Sequence, residues 1–201
     1  MEGLSRQPGT PARENGSRLF NGFVIYSPYD VGGRCAVPFD IGLRYGKGED
    51  MRIKVSNYIS EMLVKAGIRQ AFMVTGGGAM HLDDALGHQE GLCCIYDHHE
   101  QACAIAAEAY ARIHNEIAAL CVTTGPGGTN AITGVLGGWL DSIPMLVLSG
   151  QVRYDTTARW SGLGIRAMGD QEFDICKSID CMTKYSEMVI DPMRIRYCLE
   201  K

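Results

Sequence analysis

The chain has 201 residues, a formal net charge of −4 and 46% hydrophobic residues, which is enough for one domain with a buried core and an additional segment. The small negative charge provides no basic surface for a nucleic acid, and no apolar run is long enough to span a membrane. Several of the eight cysteines lie within apolar runs and no pair has CxxC spacing, so we expect reduced thiols in a cytoplasmic protein.

Residues 1–50 differ in composition from the rest of the chain. The first 20, MEGLSRQPGTPARENGSRLF, are rich in proline, glycine, serine and arginine and have no helical or strand periodicity. This composition predicts a disordered extension. Residues 20–45 have aromatic side chains scattered between glycines, so a partly ordered arm is an alternative. The interpretation we favour is a misassigned start, because a regular domain pattern begins at Met51 and continues through residues 51–201.

From residue 51 onward, short apolar runs alternate with helical patterns. The first helix is predicted to end at Gly67 and the second at Gly87, because glycine readily takes the left-handed conformation that closes a helix. Strands are predicted at 71–74, 92–96, 118–122 and 145–149, and helices at 55–66, 81–86, 98–112 and from the glycine-rich turn at 123–130 to about 140.

The last fifty residues have a weaker pattern. A loop is predicted at 153–169, the start of a short helix at 171–175 and a strand at 184–190. Asp191 followed by Pro192 is typical of a helix start, so a helix is expected from Pro192 to Lys201. This helix reaches the last residue, which we interpret as a domain boundary or a truncation.

The alternation of short apolar strands with helices predicts an α/β fold, in which a parallel sheet is covered by helices on both faces. Ligands of such sheets bind outside the carboxyl ends of the strands. Two glycine-rich turns, at Gly76 and Gly125, directly follow strands. Gln151 ends another strand, and Glu100 lies in the first turn of a helix. We therefore expect all four residues to face one edge of the sheet.

The predicted helix at 98–112, HHEQACAIAAEAYAR, is the most distinctive element. Its body consists mostly of alanine and cysteine, so it is narrow enough to be packed closely on two sides. A carboxylate in the first turn commonly does no more than complement the helix dipole. Glu100 becomes a candidate for chemistry because of the glycine-rich turns expected beside it.

Other kinds of nucleotide or metal site are not supported by the sequence. A dinucleotide-binding GxGxxG pattern starting at Gly76 would require glycine where the chain has His81, and there is no phosphate-binding GxxxxGK[ST] segment. The five histidines form no recognisable metal-binding set. The adjacent pair His98 and His99 would point about 100° apart in a helix. We therefore predict no metal ligands in this chain.

Three sequence blocks, in a consistent order and spacing, resemble the N-terminal pyrimidine-binding domain of thiamine-diphosphate enzymes of the acetolactate-synthase-like branch. They are AFMVTGGGAMHLDDAL (71–86), HHEQACAIAAEAYAR (98–112) and CVTTGPGGTNAITGVLGGWLDSIPMLVLSGQV (121–152). The resemblance covers the chain from about Met51 to its end. It implies a flavodoxin-like parallel sheet and thiamine diphosphate as cofactor.

The resemblance also implies roles for individual residues. In this family a glutamate bonded to the pyrimidine ring of the cofactor promotes loss of the proton on its thiazolium carbon, and Glu100 matches that glutamate. Gly76 and Gly77 match positions where the backbone approaches the cofactor, which requires the absence of a Cβ atom. Gln151 resembles a polar residue that lines the substrate region, and with Glu100 it is our candidate for catalysis. The other candidates for contact with the cofactor are the turn residues Thr124, Gly125 and Pro126, together with Asn130.

Two segments depart from the family pattern. Synthases of the family usually have Tyr-Pro before the paired glycines, where this chain has Val74-Thr75. The pair Gln171-Glu172 is retained, but the phenylalanine expected before it is Asp170. These differences are compatible with an acceptor substrate other than pyruvate.

The second domain of the family is absent from this sequence. That domain binds the diphosphate and its Mg²⁺ ion through a Gly-Asp-Gly segment followed by asparagine, and Gly169-Asp170-Gln171 is not such a segment. We therefore expect the Mg²⁺ ligands on another chain or a missing segment, and weak cofactor binding without turnover by residues 1–201 alone. FAD, which the family binds through a middle domain, has no support in the sequence.

The resemblance implies the pyrimidine-binding half of an enzyme that decarboxylates a 2-oxo acid and transfers the resulting acyl or aldehyde unit, in a homo- or hetero-oligomer. Two alternatives remain open. The chain is one subunit of a split 2-oxo acid decarboxylase, or it is a non-catalytic dimerisation module. The presence of Glu100 favours an enzyme over the second alternative.

Overall fold

The computed structural model describes the backbone of residues 21–27 and residues 53–201 in full. The strands are β1 (Asn21–Ser27), β2 (Gln70–Met73), β3 (Cys93–Tyr96), β4 (Ala118–Val122), β5 (Met145–Arg153) and β6 (Tyr185–Val189). The helices are α1 (Val55–Lys65), α2 (Met80–Gly87), α3 (Glu100–His114), α4 (Pro126–Leu140), α5 (Ala158–Ser161), α6 (Ile175–Ile179) and α7 (Ile195–Glu200). Short 3-10 turns occur at Gly77–Ala79, Tyr154–Thr156, Asp180–Met182 and Pro192–Arg194.

The strands form one sheet in the order β3-β2-β4-β5-β1-β6. Strands β3, β2, β4 and β5 are parallel, which confirms the predicted parallel α/β architecture. The carboxyl ends of these four strands therefore lie at the same edge of the sheet. Among the described residues, no helix combines the length and the apolar content needed to cross a lipid bilayer.

Helices cover both faces of the sheet, because alternate residues of the central strands point to opposite sides. On one face, α1, α2 and α7 pack on Met73, Cys121 and Leu148. On the other face, α3, α4 and α6 pack on Leu120 and Val147. Strand β4 is buried along its whole length, as expected for a strand covered on both sides.

Most predicted elements agree with the structure to within a few residues, and three do not. Strand β5 continues to Arg153 instead of ending near residue 149, and the predicted loop after it contains α5. The predicted helix start at 171–175 is wrong, because Gln171 has a left-handed backbone with φ of 54° and α6 begins only at Ile175. The predicted helix at 192–201 begins with a 3-10 turn, and its α-helical part starts at Ile195.

Strand β1 lies in the extension and is not predicted by the sequence. It runs antiparallel to β5 on one side and to β6 on the other, so the two strands are joined through it. Residues 1–20 and 28–52 lie outside the described residues. The interpretation of Met51 as the natural start stays a prediction.

Candidate functional site

A cavity of about 490 Å³ lies at the carboxyl ends of β2, β4 and β5. Its walls come from four segments: the turn after β2, the turn after β4, the end of β5 and the loop before α6. The lining residues are Gly76, Gly77, Gly78, Thr123, Thr124, Gln151, Val152, Arg153, Thr156, Asp170 and Gln171.

The turn after β2 is held by two hydrogen bonds. The Gly76 N–H donates to Oδ2 of Asp83 at 3.1 Å, and the Gly78 N–H donates to Oγ1 of Thr123 at 3.1 Å. A Cβ atom at Gly76 would lie 2.5 Å from Cβ of Thr123, whereas one at Gly77 would meet nothing within 4 Å. Gly76 is therefore required for packing, and Gly77 leaves bare backbone beside open space.

Glu100 opens helix α3. Its predecessor His99 is the N-cap, and the His99 ring accepts a hydrogen bond from the backbone N–H of Gln101 at 3.1 Å. The half-buried Glu100 carboxylate accepts a hydrogen bond on Oε2 from the side-chain amide of Asn130 in α4 at 3.0 Å. Its other oxygen, Oε1, receives no hydrogen bond from the described residues. This oxygen is available to a ligand that offers a donor.

The pairing of Glu100 with Asn130 depends on close contact between α3 and α4. A Cβ atom at Gly134 would lie 2.5 Å from Cβ of Ala104 and 2.8 Å from the backbone nitrogen of Ile105. The small residues of the two helices thus let their backbones approach directly. This close approach fits the prediction, made from the alanine-rich sequence, that the Glu100 helix is packed tightly.

Thr123 separates the Glu100 side of the edge from the cavity. Its side chain contacts Gly76 on one side, and on the other it lies 2.7 Å from where a Cβ atom of Gly127 would be. A Cβ atom at Gly127 would also lie 3.5 Å from Oε1 of Glu100. Glu100 therefore lies next to the two glycine-rich turns but is not itself part of the cavity wall.

The turn after β4 is fixed by Gly125. Its φ is 57°, and a Cβ atom there would collide with the backbone carbonyl oxygen of Gln171, so the turn requires glycine for two reasons. Pro126 occupies the first position of α4, where a backbone N–H would have no acceptor within the helix, so proline costs no hydrogen bond there. Gly125 and Gln171 thus join the β4 turn to the loop before α6.

Gln151 is 2% exposed, and its polar atoms are engaged by neighbours. Its Oε1 accepts hydrogen bonds from Oγ1 of Thr124 at 2.6 Å and from the N–H of Val152 at 3.0 Å. Its Nε2 donates to the carbonyl oxygen of Phe173 at 2.7 Å. These bonds connect β5, the β4 turn and the loop before α6, and they leave one amide hydrogen of Gln151 free.

The carboxylate of Glu172 organises the loop between β5 and α6. It accepts hydrogen bonds from the backbone N–H groups of Ala158, at 2.8 and 2.9 Å, of Met168 at 2.9 Å and of Gly169 at 3.2 Å. Burial opposes the charge, but these N–H donors outweigh it and lower the pKa of Glu172. The charged form therefore holds the two ends of the 158–169 segment together.

Other ionisable groups near the edge do not provide a nucleophile. Burial raises the pKa of the Cys103 thiol to about 12 and that of the Cys121 thiol well above its ordinary value. Burial also raises the pKa of Asp83, although its hydrogen bond from Gly76 opposes the shift. Among the residues described in the structure, no group of three or more histidine, cysteine or acidic side chains could hold a metal ion.

All eight residues that the sequence proposed for the site lie at the same edge of the sheet. Four of them form two hydrogen-bonded pairs. Glu100 and Asn130 are paired beside the glycine turns, whereas Thr124 and Gln151 are bonded to each other in the floor of the cavity. Thr123 and Asp83 also hold the site, and they were not among the residues predicted from the sequence. The only signals were the paired threonines after β4 and an acidic residue in the first turn of α2.

A family model described as thiamine pyrophosphate enzyme, N-terminal TPP binding domain, matches residues 53–178 of the chain. Thiamine pyrophosphate and thiamine diphosphate are two names of the same cofactor. Among curated proteins, the acetolactate synthase isozyme 3 large subunit of Escherichia coli (strain K12) is 43% identical over 90 residues, which are 45% of this chain and 16% of that protein.

Two further relatives match over a longer part of the chain. The acetolactate synthase large subunit of Cyanidium caldarium is 36% identical over 138 residues, which are 67% of this chain and 22% of that protein. The chloroplastic acetolactate synthase of Arabidopsis thaliana is 30% identical over 152 residues, which are 76% of this chain and 22% of that protein. The matched part of this chain thus spans about a fifth of the length of these relatives.

Proposed function

Since the chain belongs to the family of thiamine pyrophosphate enzymes, through their N-terminal TPP binding domain, we propose that it supplies the pyrimidine-binding half of an enzyme that decarboxylates a 2-oxo acid and transfers the resulting acyl or aldehyde unit. The observation that carries this proposal is the Glu100 carboxylate at the start of α3. One of its oxygens is held by Asn130, and the other is free beside the glycine turns.

The residues at this edge are suited to bind a flat aromatic ring that is linked to a positively charged group. The free Oε1 of Glu100 offers an acceptor for a protonated ring nitrogen, and Gly77 offers backbone without a side chain in the way. When bound, thiamine diphosphate supplies the electron sink that decarboxylation of a 2-oxo acid requires. The chain's own contribution is to hold the ring and to keep a proton at its nitrogen.

Asn130 orients Glu100 for this task. Its amide hydrogen fixes Oε2 at 3.0 Å, so the carboxylate cannot rotate freely and Oε1 keeps one direction. The close contact of α3 with α4 at Gly134 keeps the two residues within bonding distance. A positioned carboxyl group of this kind is what general acid–base catalysis needs.

The proposal requires a second domain. By analogy with the family, the Mg²⁺ ion and the diphosphate would be held by a diphosphate-binding domain on another chain or in a segment outside this sequence. We expect the isolated chain to bind the cofactor weakly and to turn over no substrate. Nothing in the described residues supports binding of FAD.

An oligomer is part of the same proposal. The outer surfaces of α3 and α4 expose large apolar side chains, and Ile113 and Leu140 are 77% and 71% exposed. Ile105 and Leu136 are partly exposed on the same two helices. Exposed apolar side chains on the two helices that carry Glu100 and Asn130 support association with another subunit through these helices.

The same evidence supports two alternative functions, one of them more strongly than the other. A split 2-oxo acid decarboxylase, in which each domain is a separate subunit, would use the same edge in the same way. A non-catalytic dimerisation module would need the apolar surfaces of α3 and α4 but not a carboxylate with a free oxygen. The bonded arrangement of Glu100 and Asn130 favours a catalytic domain over the module.

The test is to co-express the chain with a candidate diphosphate-domain partner and to measure carbon dioxide release from pyruvate in the presence of thiamine diphosphate and Mg²⁺. Glu100→Gln should abolish most of the activity, because glutamine cannot share a proton with the ring. Glu90→Gln, a control at an exposed carboxylate outside the site, should leave the rate unchanged. An unaffected rate in Glu100→Gln would refute the role of Glu100.

A further inference from the structure

The polar groups of the cavity differ in whether they already have partners. Thr124 and Gln151 bond each other, the hydroxyl of Thr156 donates to the carbonyl oxygen of Arg153 at 2.8 Å, and the guanidinium of Arg153 donates to Asp155 at 2.6 and 3.1 Å. These groups stabilise the wall and offer little to a ligand. The loop before α6, in contrast, carries polar side chains that have no partner among the described residues.

Asp170 is the unpaired charge of this cavity. Its carboxylate takes part in no hydrogen bond or ion pair with any described residue, and it lines the cavity from the loop before α6. The side-chain amide of its neighbour Gln171 is also without a bonded partner in the described part of the chain. Arg153, the other charged residue that lines the cavity, is paired with Asp155 and not with Asp170.

The backbone around Asp170 is held firmly. On its amino side, the N–H of Gly169 donates to Glu172, and a Cβ atom at Gly169 would lie 2.6 Å from the side chain of Val152. On its carboxyl side, Gln171 is left-handed and its carbonyl packs on Gly125. Asp170 is therefore a carboxylate on a fixed wall, because both of its neighbours are constrained.

Asp170 is exposed at the cavity, where an unpaired carboxylate favours ligands that bring hydrogen-bond donors over ligands that bring a second negative charge. The cavity volume of about 490 Å³ lies within the roughly 300–1,000 Å³ of pockets that hold whole small molecules. Its walls include three threonines and two glutamines but a single aliphatic side chain, Val152. The wall therefore combines apolar surface with polar groups that mostly have partners in the protein, and Asp170 is the charged group without one among the described residues.

We infer that Asp170 is a specificity-determining residue, which selects an acceptor substrate that carries hydroxyl or ammonium donors in place of a short 2-oxo acid, whose carboxylate brings a negative charge and whose side chain brings no donor. This inference rests on the proposed function, because the acceptor is the second substrate of that reaction. It adds the chemical class of that substrate and the residue that recognises it.

The test uses the isolated chain and needs no cofactor. Amide chemical shifts in ¹⁵N-labelled protein are followed while glycerol or 1-propanol is added, since these probes share a three-carbon chain and differ in two hydroxyl groups. We expect glycerol to shift the amides of Gly77, Asp170 and Gln171 and to bind roughly tenfold more tightly than 1-propanol, the effect of one net hydrogen bond to a charged acceptor. In Asp170→Leu the two probes should bind equally.

The control is Asp180→Asn, which removes an exposed, unpaired carboxylate outside the cavity and should leave the preference unchanged. Equal binding of the two probes by the native chain would overturn the inference, as would an undiminished preference in Asp170→Leu or the absence of shifts with either probe. Because this measurement requires no catalysis, it can fail while Glu100→Gln still abolishes carbon dioxide release, and the reverse. In an active complex, glyceraldehyde and propanal give the corresponding comparison as acceptors.

Discussion

The contact between α3 and α4 can be tested with one pair of substitutions in the same helix. Gly134 and Gly137 both lie in α4, but a Cβ atom at Gly134 would meet the backbone nitrogen of Ile105 at 2.8 Å, whereas one at Gly137 would meet nothing within 4 Å. We therefore compare Gly134→Ala with Gly137→Ala. The two variants add the same methyl group to the same helix and differ only in the space that receives it.

The expected magnitudes follow from two opposing effects. Alanine is favoured over glycine in a helix by about 1 kcal/mol, so Gly137→Ala should be stabilised by about this amount. Overpacking of a tight contact costs about 1–3 kcal/mol, so Gly134→Ala should be unchanged or destabilised by up to about 2 kcal/mol. The helix propensity cancels in the difference between the variants, which measures the steric contact alone.

The assay is chemical denaturation of both variants and the native chain, supported by thermal unfolding, in which a protein of this size shifts by about 2–4 °C per kcal/mol. Measurements at several protein concentrations separate folding from association through the exposed face of α4. Gly134→Ala should also weaken the Glu100–Asn130 hydrogen bond, because it forces the helices apart. Equal stabilisation of the two variants would refute the close packing of α3 on α4.

Three further predictions follow from other parts of the fold. Because the pKa of Glu172 is lowered from its usual 4.5, its hold on the 158–169 loop is complete above that pH and is lost as the pH falls through the lower value. The protection factors of the loop amides, which correct hydrogen exchange for its intrinsic pH dependence, should therefore fall at acid pH, and in Glu172→Gln they should already be low at neutral pH. Alkylation of the native protein should modify exposed Cys93 and spare Cys103, whose thiol becomes reactive only on unfolding, as mass spectrometry of labelled peptides would detect. A chain that starts at Met51 lacks β1, so its β5 and β6 should exchange amide hydrogens faster than in a chain that starts at residue 21, and equal exchange would contradict the pairing.

Local sequence patterns predict the elements that are defined by the burial of consecutive residues. Strand β4 was predicted at 118–122 and has those bounds, because five consecutive buried apolar residues have few other places in an α/β fold. The left-handed Gln171 could not be predicted, because a contact with Gly125, 46 positions earlier in the chain, accompanies that conformation. Strand β1 was missed for a related reason, since both of its partners are distant in sequence.

The same distinction applies to the site. The sequence predicted that Glu100, Gly76 and Gln151 share one edge, because the ends of parallel strands meet there. It could not predict which polar atoms are left free, since this depends on bonds between distant segments. Gln151 is accordingly at the expected edge but bonded to the protein, and Thr123 was missed although it holds the Gly78 turn from 45 residues away.

The side chain of Thr123 also lies between two parts of this edge. The carboxylate of α3 lies on one side of this partition, and the loop that precedes α6 lies on the other. Under the proposed function, substitution of Asp170 in that loop would change the surface that an acceptor meets and leave the Glu100–Asn130 hydrogen bond in place. A scaffold with this internal wall is suited to acquiring new substrates through a few loop replacements.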